Sequence, residues 1–120
     1  MASLSVGNVV FVSFPFSDLT NTKLRPAILL AYVGRDDWIL CQVTSKPYAD
    51  KQAIELSEAC YELGGLNQLS YARSTKLFTA NQSIIKKQVG RLNKQTFKKI
   101  SSTIQETLEE ELNAYNLNNQ

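Results

Sequence analysis

The chain is 120 residues long, 43% hydrophobic and 20% charged, with a formal net charge of +2. That length fits one domain built around one core and excludes a multidomain machine. The composition excludes the polar, proline-rich mix that stays unfolded, and the net charge is too small to imply nucleic-acid binding by itself.

Val9-Val10-Phe11-Val12-Ser13-Phe14, β-branched and aromatic, follows Gly7-Asn8 and stops at Pro15, which predicts a first strand. Phe16 to Arg25 is a polar connector whose Ser, Asp, Thr and Asn side chains compete for backbone hydrogen bonds, so a mobile loop is expected there. Pro26 is expected to occupy the first position of a second strand reaching Val33, and Gly34-Arg35-Asp36-Asp37 to form a turn. In Trp38 to Ser45, alternation places Ile39, Cys41 and Val43 on one face and Leu40, Gln42 and Thr44 on a more polar one. Shorter strands are expected at Ile54-Glu55-Leu56, Leu69 to Leu77 and Gln88 to Leu92, giving a small closed or partly closed sheet.

From Asn93, a credible N-cap, the period becomes helical: Phe97, Ile100, Ile104, Leu108, Leu112 and Tyr115 form one apolar stripe. Lysines near the helix start and glutamates near its end oppose the macrodipole, so the last turn is expected to fray. Residues 1–115 are expected to form a single domain, mainly β with a C-terminal helix, and residues 116–120 a disordered tail. The apolar run from Pro26 to Val33 is too short for a bilayer, which needs about 20 such residues. Met1 to Ser5 carries no secretory signal, so the expected location is cytoplasmic.

The absence of histidine excludes Ser-His-Asp and Cys-His catalysis and His-based metal sites. Cys41 and Cys60 lack the partners of a disulfide framework or a zinc site and are expected to be idle thiols. No GxxxxGK[ST] or GxGxxG run is present, so ATP and dinucleotide chemistry drops out; no metal and no cofactor is expected. The stretch from Arg73 to Lys99 holds eight cations and no acid, which can make a positive face. Arg25 precedes Pro26, whose ring biases its predecessor to extended geometry, so this guanidinium is positioned to clamp a phosphate or to form a structural salt bridge.

Three segments carry a resemblance: Gly7-Asn8-Val9-Val10 through Phe14-Pro15-Phe16-Ser17-Asp18; Lys23-Leu24-Arg25-Pro26-Ala27-Ile28-Leu29-Leu30; and Leu40-Cys41-Gln42-Val43-Thr44-Ser45. Together they resemble the PemK/MazF toxins of bacterial type II toxin-antitoxin systems over roughly residues 6–112. The resemblance implies a small SH3-like β-barrel with a C-terminal helix, a homodimer, cleavage of single-stranded RNA at short sequences, and neutralisation by a cognate antitoxin. It places Arg25 and Thr44 as catalytic residues, with Ser45 beside Thr44, and matches Arg73 to a basic residue that some relatives place at the RNA-binding surface; Lys23 and Lys76, near the relevant loops, can supply further charge to bind RNA. It also makes Ser17, Asp18, Thr20 and Asn21 part of a flexible loop that meets antitoxin.

Aromatic platforms for splayed bases are candidates at Phe16, Tyr48, Tyr71 and Phe78. Some relatives carry an acidic residue two positions after the arginine that Arg73 resembles, and this chain has Thr75, which is no base at neutral pH without a partner. Cleavage then relies on alignment and charge stabilisation alone, or Asp18 or another group assists, or this member is slow. The alternatives are a non-enzymatic toxin of the same fold, such as a CcdB-like gyrase poison, or a catalytically degenerate RNA-binding barrel.

Overall fold

β-Branched and aromatic runs take extended geometry because their side chains pack well on a pleated surface. The computed structural model describes residues 3–15, 22–47 and 49–118. In chain order they form β1 (Asn8–Pro15), β2 (Thr22–Gly34), β3 (Asp37–Thr44), β4 (Ala53–Leu56), a single 3₁₀ turn (Glu58–Cys60), β5 (Tyr61–Gly64) and β6 (Ser70–Asn81). A second 3₁₀ turn (Gln82–Ile84), β7 (Ile85–Leu92) and the helix α1 (Lys94–Asn118) complete the chain. The strands make one seven-stranded sheet in the order β4-β6-β3-β2-β1-β7-β5. This is the mainly-β fold with a C-terminal helix that the sequence predicts; its ladder has two ends, β4 and β5, and is not a closed ring.

Core residues fall into two clusters. One joins Val9, Ile28, Cys41, Val43, Leu56 and Ile100; the other joins Val10, Val12, Leu29, Trp38 and Leu40. Neighbouring residues of one strand, such as Val9 and Val10, enter different clusters, so both faces of the sheet are apolar where it curls. Leu40 therefore does not sit on a polar face as expected from β3: it is fully buried in the second cluster, and only Gln42 and Thr44 on that side reach solvent.

Several boundaries depart from expectation: β6 runs on to Asn81, past the expected Leu77, and β7 starts at Ile85, before the expected Gln88. Thr22 to Arg25, read as loop, belongs to β2, because pairing with β1 (Arg25 with Val12, Leu24 with Ser13) outweighs the local preference of polar residues. Pro26 consequently lies inside β2 and not at its start. β5 was not predicted; it forms where Gly64 and Gly90 let β5 and β7 approach, since a Cβ on Gly90 would sit 2.8 Å from the Gly65 nitrogen. Ser17, Asp18, Thr20 and Asn21, with Phe16 and Tyr48, lie outside the described residues.

Asn93 caps α1 as expected: its Oδ1 accepts from the Thr96 amide at 2.8 Å, and its Nδ2 donates to the Ala59 carbonyl at 2.9 Å. The stripe docks only at its near end. Ile100 is fully buried, Phe97 and Ile104 are half-buried, and Leu108 and Leu112 are 67% and 51% exposed. The helix runs through Asn118, past the expected start of the tail at residue 116, because propagation adds a hydrogen bond per residue and no Gly or Pro interrupts it. The Arg73–Lys99 cations are divided among β6, β7 and α1, and β3, β2 and β1 separate β6 from β7 in the sheet. Among the described residues no helix is long and apolar enough to cross a membrane.

Candidate active site

The β2–β3 ladder pairs Ile28 with Cys41 and Ala27 with Gln42, and it stops there. Its next residue on β2 is Pro26, which has no N–H to give β3. Carried two residues further, the same register would set Arg25 opposite Thr44. Instead the strands part, and two adjoining hollows of about 210 and 190 Å³ open between them, both lined by Arg25, Pro26, Val43 and Thr44.

Antiparallel partners project to the same side of a sheet, so the register identifies what shares this face. Ala27 pairs with Gln42 and Gln42 with Arg73; one row further out, Thr44 pairs with Tyr71 and Tyr71 with Glu55. Arg25, Gln42, Thr44, Tyr71 and Arg73 therefore stand on one face at one end of the sheet. The first hollow adds Lys23, Ser45 and Gln68 to its lining, and the second adds Gln42 and Arg73. Two arginines thus border one small space, an arrangement that favours an anion. Among the described residues, two larger clefts lie elsewhere, and their linings include no arginine.

Thr44 is held by its own turn. The Lys46 N–H donates to Thr44 Oγ1 at 3.1 Å, and the hydroxyl donates to the Lys46 carbonyl at 3.1 Å. The first bond fixes the oxygen, and the second uses a proton that can swing to another acceptor. Arg73 is held from the opposite side: its Nε donates to Asp50 Oδ2 at 2.9 Å, with the two side chains 23% and 10% exposed. Asp50 Oδ1 accepts the Gln52 N–H at 2.9 Å, an Asx-turn. The Arg73 hydrogen bond, aided by the Gln52 amide and the charges of Arg73 and Lys76, holds the Asp50 carboxyl below its ordinary range despite partial burial.

The structure brings Arg25, Thr44, Ser45, Lys23 and Arg73 together around these hollows, while Lys76 lines neither. Lys76 lies with Ser74 and Thr75 in a bulge of β6, between the pairs Cys41–Leu77 and Gln42–Arg73. Tyr71 stands beside Thr44, whereas Phe78 pairs with Leu40 and packs on the second core cluster. Sequence reasoning missed Gln42 and Gln68 as lining residues and Asp50 as the partner of Arg73. Cys41 is buried and Cys60 half-buried, both free, and burial pushes the Cys41 thiol up to about 12.

Antiparallel β-sheet, helix and arginine-lined hollow define a small β-protein with a cationic end. The chain belongs to the PemK-like, MazF-like toxins of type II toxin-antitoxin systems, whose family model matches residues 5–108. Among solved structures it is similar to MazF in a MazE-MazF structure from Deinococcus radiodurans, with a TM-score of 0.73 and 15% identity over 88% of this chain and 96% of that one. It is also similar to an endoribonuclease in complex with its cognate antitoxin from a mycobacterial species (TM-score 0.68, 12% identity, 91% and 96% covered). A third is Mycobacterium tuberculosis toxin MazF-mt6, with a TM-score of 0.61 and 14% identity over 83% of this chain and 96% of that chain. A sequence comparison with curated proteins returns no match.

Proposed function

We propose that this toxin is a metal-independent, sequence-specific endoribonuclease that cuts single-stranded RNA, with Arg25 and Thr44 as its catalytic residues. The observation that carries the reading is their position: they come from different strands and line the same two hollows where the β2–β3 ladder ends. RNA supplies its own nucleophile. A 2′-oxygen bonds to the adjacent phosphorus as its proton leaves, the bond to the 5′-oxygen breaks, and that oxygen takes up a proton. The products are a 2′,3′-cyclic phosphate and a 5′-hydroxyl.

The protein's part is alignment and charge stabilisation. Arg25 neutralises the nonbridging oxygens and stays charged at any working pH, which makes it a poor proton shuttle. Thr44 turns its hydroxyl proton from the Lys46 carbonyl to a phosphate oxygen while the Lys46 N–H keeps Oγ1 in place. Lys23, Ser45 and Arg73 hold the flanking backbone, and Lys76 adds longer-range attraction. Asp50 is a weak base, because both of its oxygens accept hydrogen bonds. A cytoplasmic homodimer neutralised by a cognate antitoxin completes the proposal; the exposed Leu108 and Leu112 offer apolar surface to an assembly.

The test is incubation of the purified protein with a long mixed-sequence RNA in chelator, followed by mapping of the new ends. Cyclic phosphate and 5′-hydroxyl ends at a recurring short sequence are expected, with no cut where the scissile nucleotide is a deoxynucleotide. Intact RNA that is nevertheless bound identifies a degenerate binding barrel. RNA neither cut nor bound points to a non-enzymatic toxin.

A further inference from the structure

We infer that Asp50 is a positioning residue that aims the Arg73 guanidinium at the RNA backbone, an inference resting on the endoribonuclease reading above. Asp50 is itself immobilised. It sits in a turn in which its N–H donates to the Pro47 carbonyl at 2.9 Å, its carbonyl accepts from the Ala53 N–H at 3.2 Å, and Oδ1 accepts from Gln52 at 2.9 Å. The remaining carboxylate oxygen, Oδ2, reaches Arg73 Nε at 2.9 Å. A guanidinium held through Nε keeps its two terminal nitrogens for another acceptor. Arg73 lines the hollow that also holds Arg25 and Thr44, so those nitrogens serve a phosphate beside the scissile one.

A plain neutralising role makes the opposite prediction. Removing a carboxylate from beside an RNA site strengthens RNA binding if only charge matters, since a repulsive group is gone and net positive charge rises. If Asp50 acts by aiming Arg73, its removal weakens binding although the site becomes more positive. The sign of the change therefore separates the two roles.

The experiment measures KM, kcat and the salt dependence of KM on an RNA oligonucleotide containing the cleavage sequence. The variants are Asp50→Asn, Asp50→Ser, Arg73→Ala and the two double variants. Asp50→Asn is isosteric and removes the charge, and its NH2 group replaces one of the two oxygens that accept from Gln52 and Arg73. Asp50→Ser keeps an acceptor for the Gln52 N–H and is too short for Arg73, so the turn is preserved while the contact is lost.

Both are expected to raise KM about five-fold or more, to leave kcat within about two-fold, and to lower the salt slope by about one, as Arg73→Ala does. In the Arg73→Ala background neither should have further effect. A KM that is unchanged or lower in the folded Asp50 variants, or an effect of equal size without Arg73, overturns the inference and leaves the endoribonuclease reading standing. A wild-type protein that leaves RNA uncut overturns that reading and the inference with it.

Discussion

Replacing Thr44 by valine removes a hydroxyl and little volume, which makes its consequences calculable. Two hydrogen bonds vanish, both to Lys46 and both 3.1 Å long. Each such bond contributes about 0.5–1.5 kcal/mol net, and the low end applies because Lys46 is exposed and its N–H and carbonyl rehydrate. The total cost to stability is then about 1 kcal/mol, a Tm lowered by about 3–6 °C for a domain of this size. Loss of one preorganised donor to a developing phosphorane costs far more in rate, about 10²–10³-fold, or roughly 2.7–4 kcal/mol of barrier. A domain with about 5 kcal/mol of stability remains folded after a 1 kcal/mol loss, so unfolding cannot supply that rate deficit. The assay is single-turnover cleavage of a fluorogenic RNA well below Tm, beside a thermal melt. Thr44→Val is expected to lose about 10²–10³-fold, and Thr44→Ser, which restores the hydroxyl, to stay within about ten-fold of wild type. Thr44→Val cutting within about three-fold of wild type would refute the assignment.

The fold makes its own predictions. Asn93→Ala should lower stability by about 1 kcal/mol through loss of the cap on Thr96, while Asn93→Asp, which keeps the acceptor and suits the helix dipole, should recover most of it in a denaturant titration. Ile100→Ala should cost about 2–5 kcal/mol because the side chain is fully buried, whereas Leu108→Ala, 67% exposed, should change the monomer's stability by about 0.5 kcal/mol or less. Burial raises the Cys41 thiol from 9.0 to about 12, so in that interval the unfolded chain loses a proton that the folded one keeps. Stability should accordingly fall as pH rises from 9 toward 12, and a Cys41→Ala variant should show a shallower alkaline decline in thermal melts.

What the sequence revealed were features with a local cause. The β-branched run of β1 and the Asn93 cap each depend on residues a few positions apart, and each has its counterpart in the structure, whereas the alternation of β3 holds only from Cys41 to Thr44. That Arg25 and Thr44 belong to one site was expected from resemblance alone, because nothing along the chain says that β2 and β3 bring them to the same hollows. Local reasoning failed where partners are distant. Thr22 to Arg25 look like loop until Val12 and Ser13 are set beside them, and β5 depends on two glycines 26 positions apart. Asp50 is 23 residues from Arg73, and no spacing rule links them. Leu108 and Leu112 continue the helical stripe faithfully, yet both are exposed.

The most direct measurement of the central claim is the single-turnover RNA cleavage rate of Arg25→Ala against wild type, with fold and oligomeric state verified for both. Loss of about 10²–10³-fold or more with an intact fold is the predicted result, because among the described residues no other charged residue lines both hollows. An Arg25→Ala protein that cleaves the same sites at close to the wild-type rate would contradict the account.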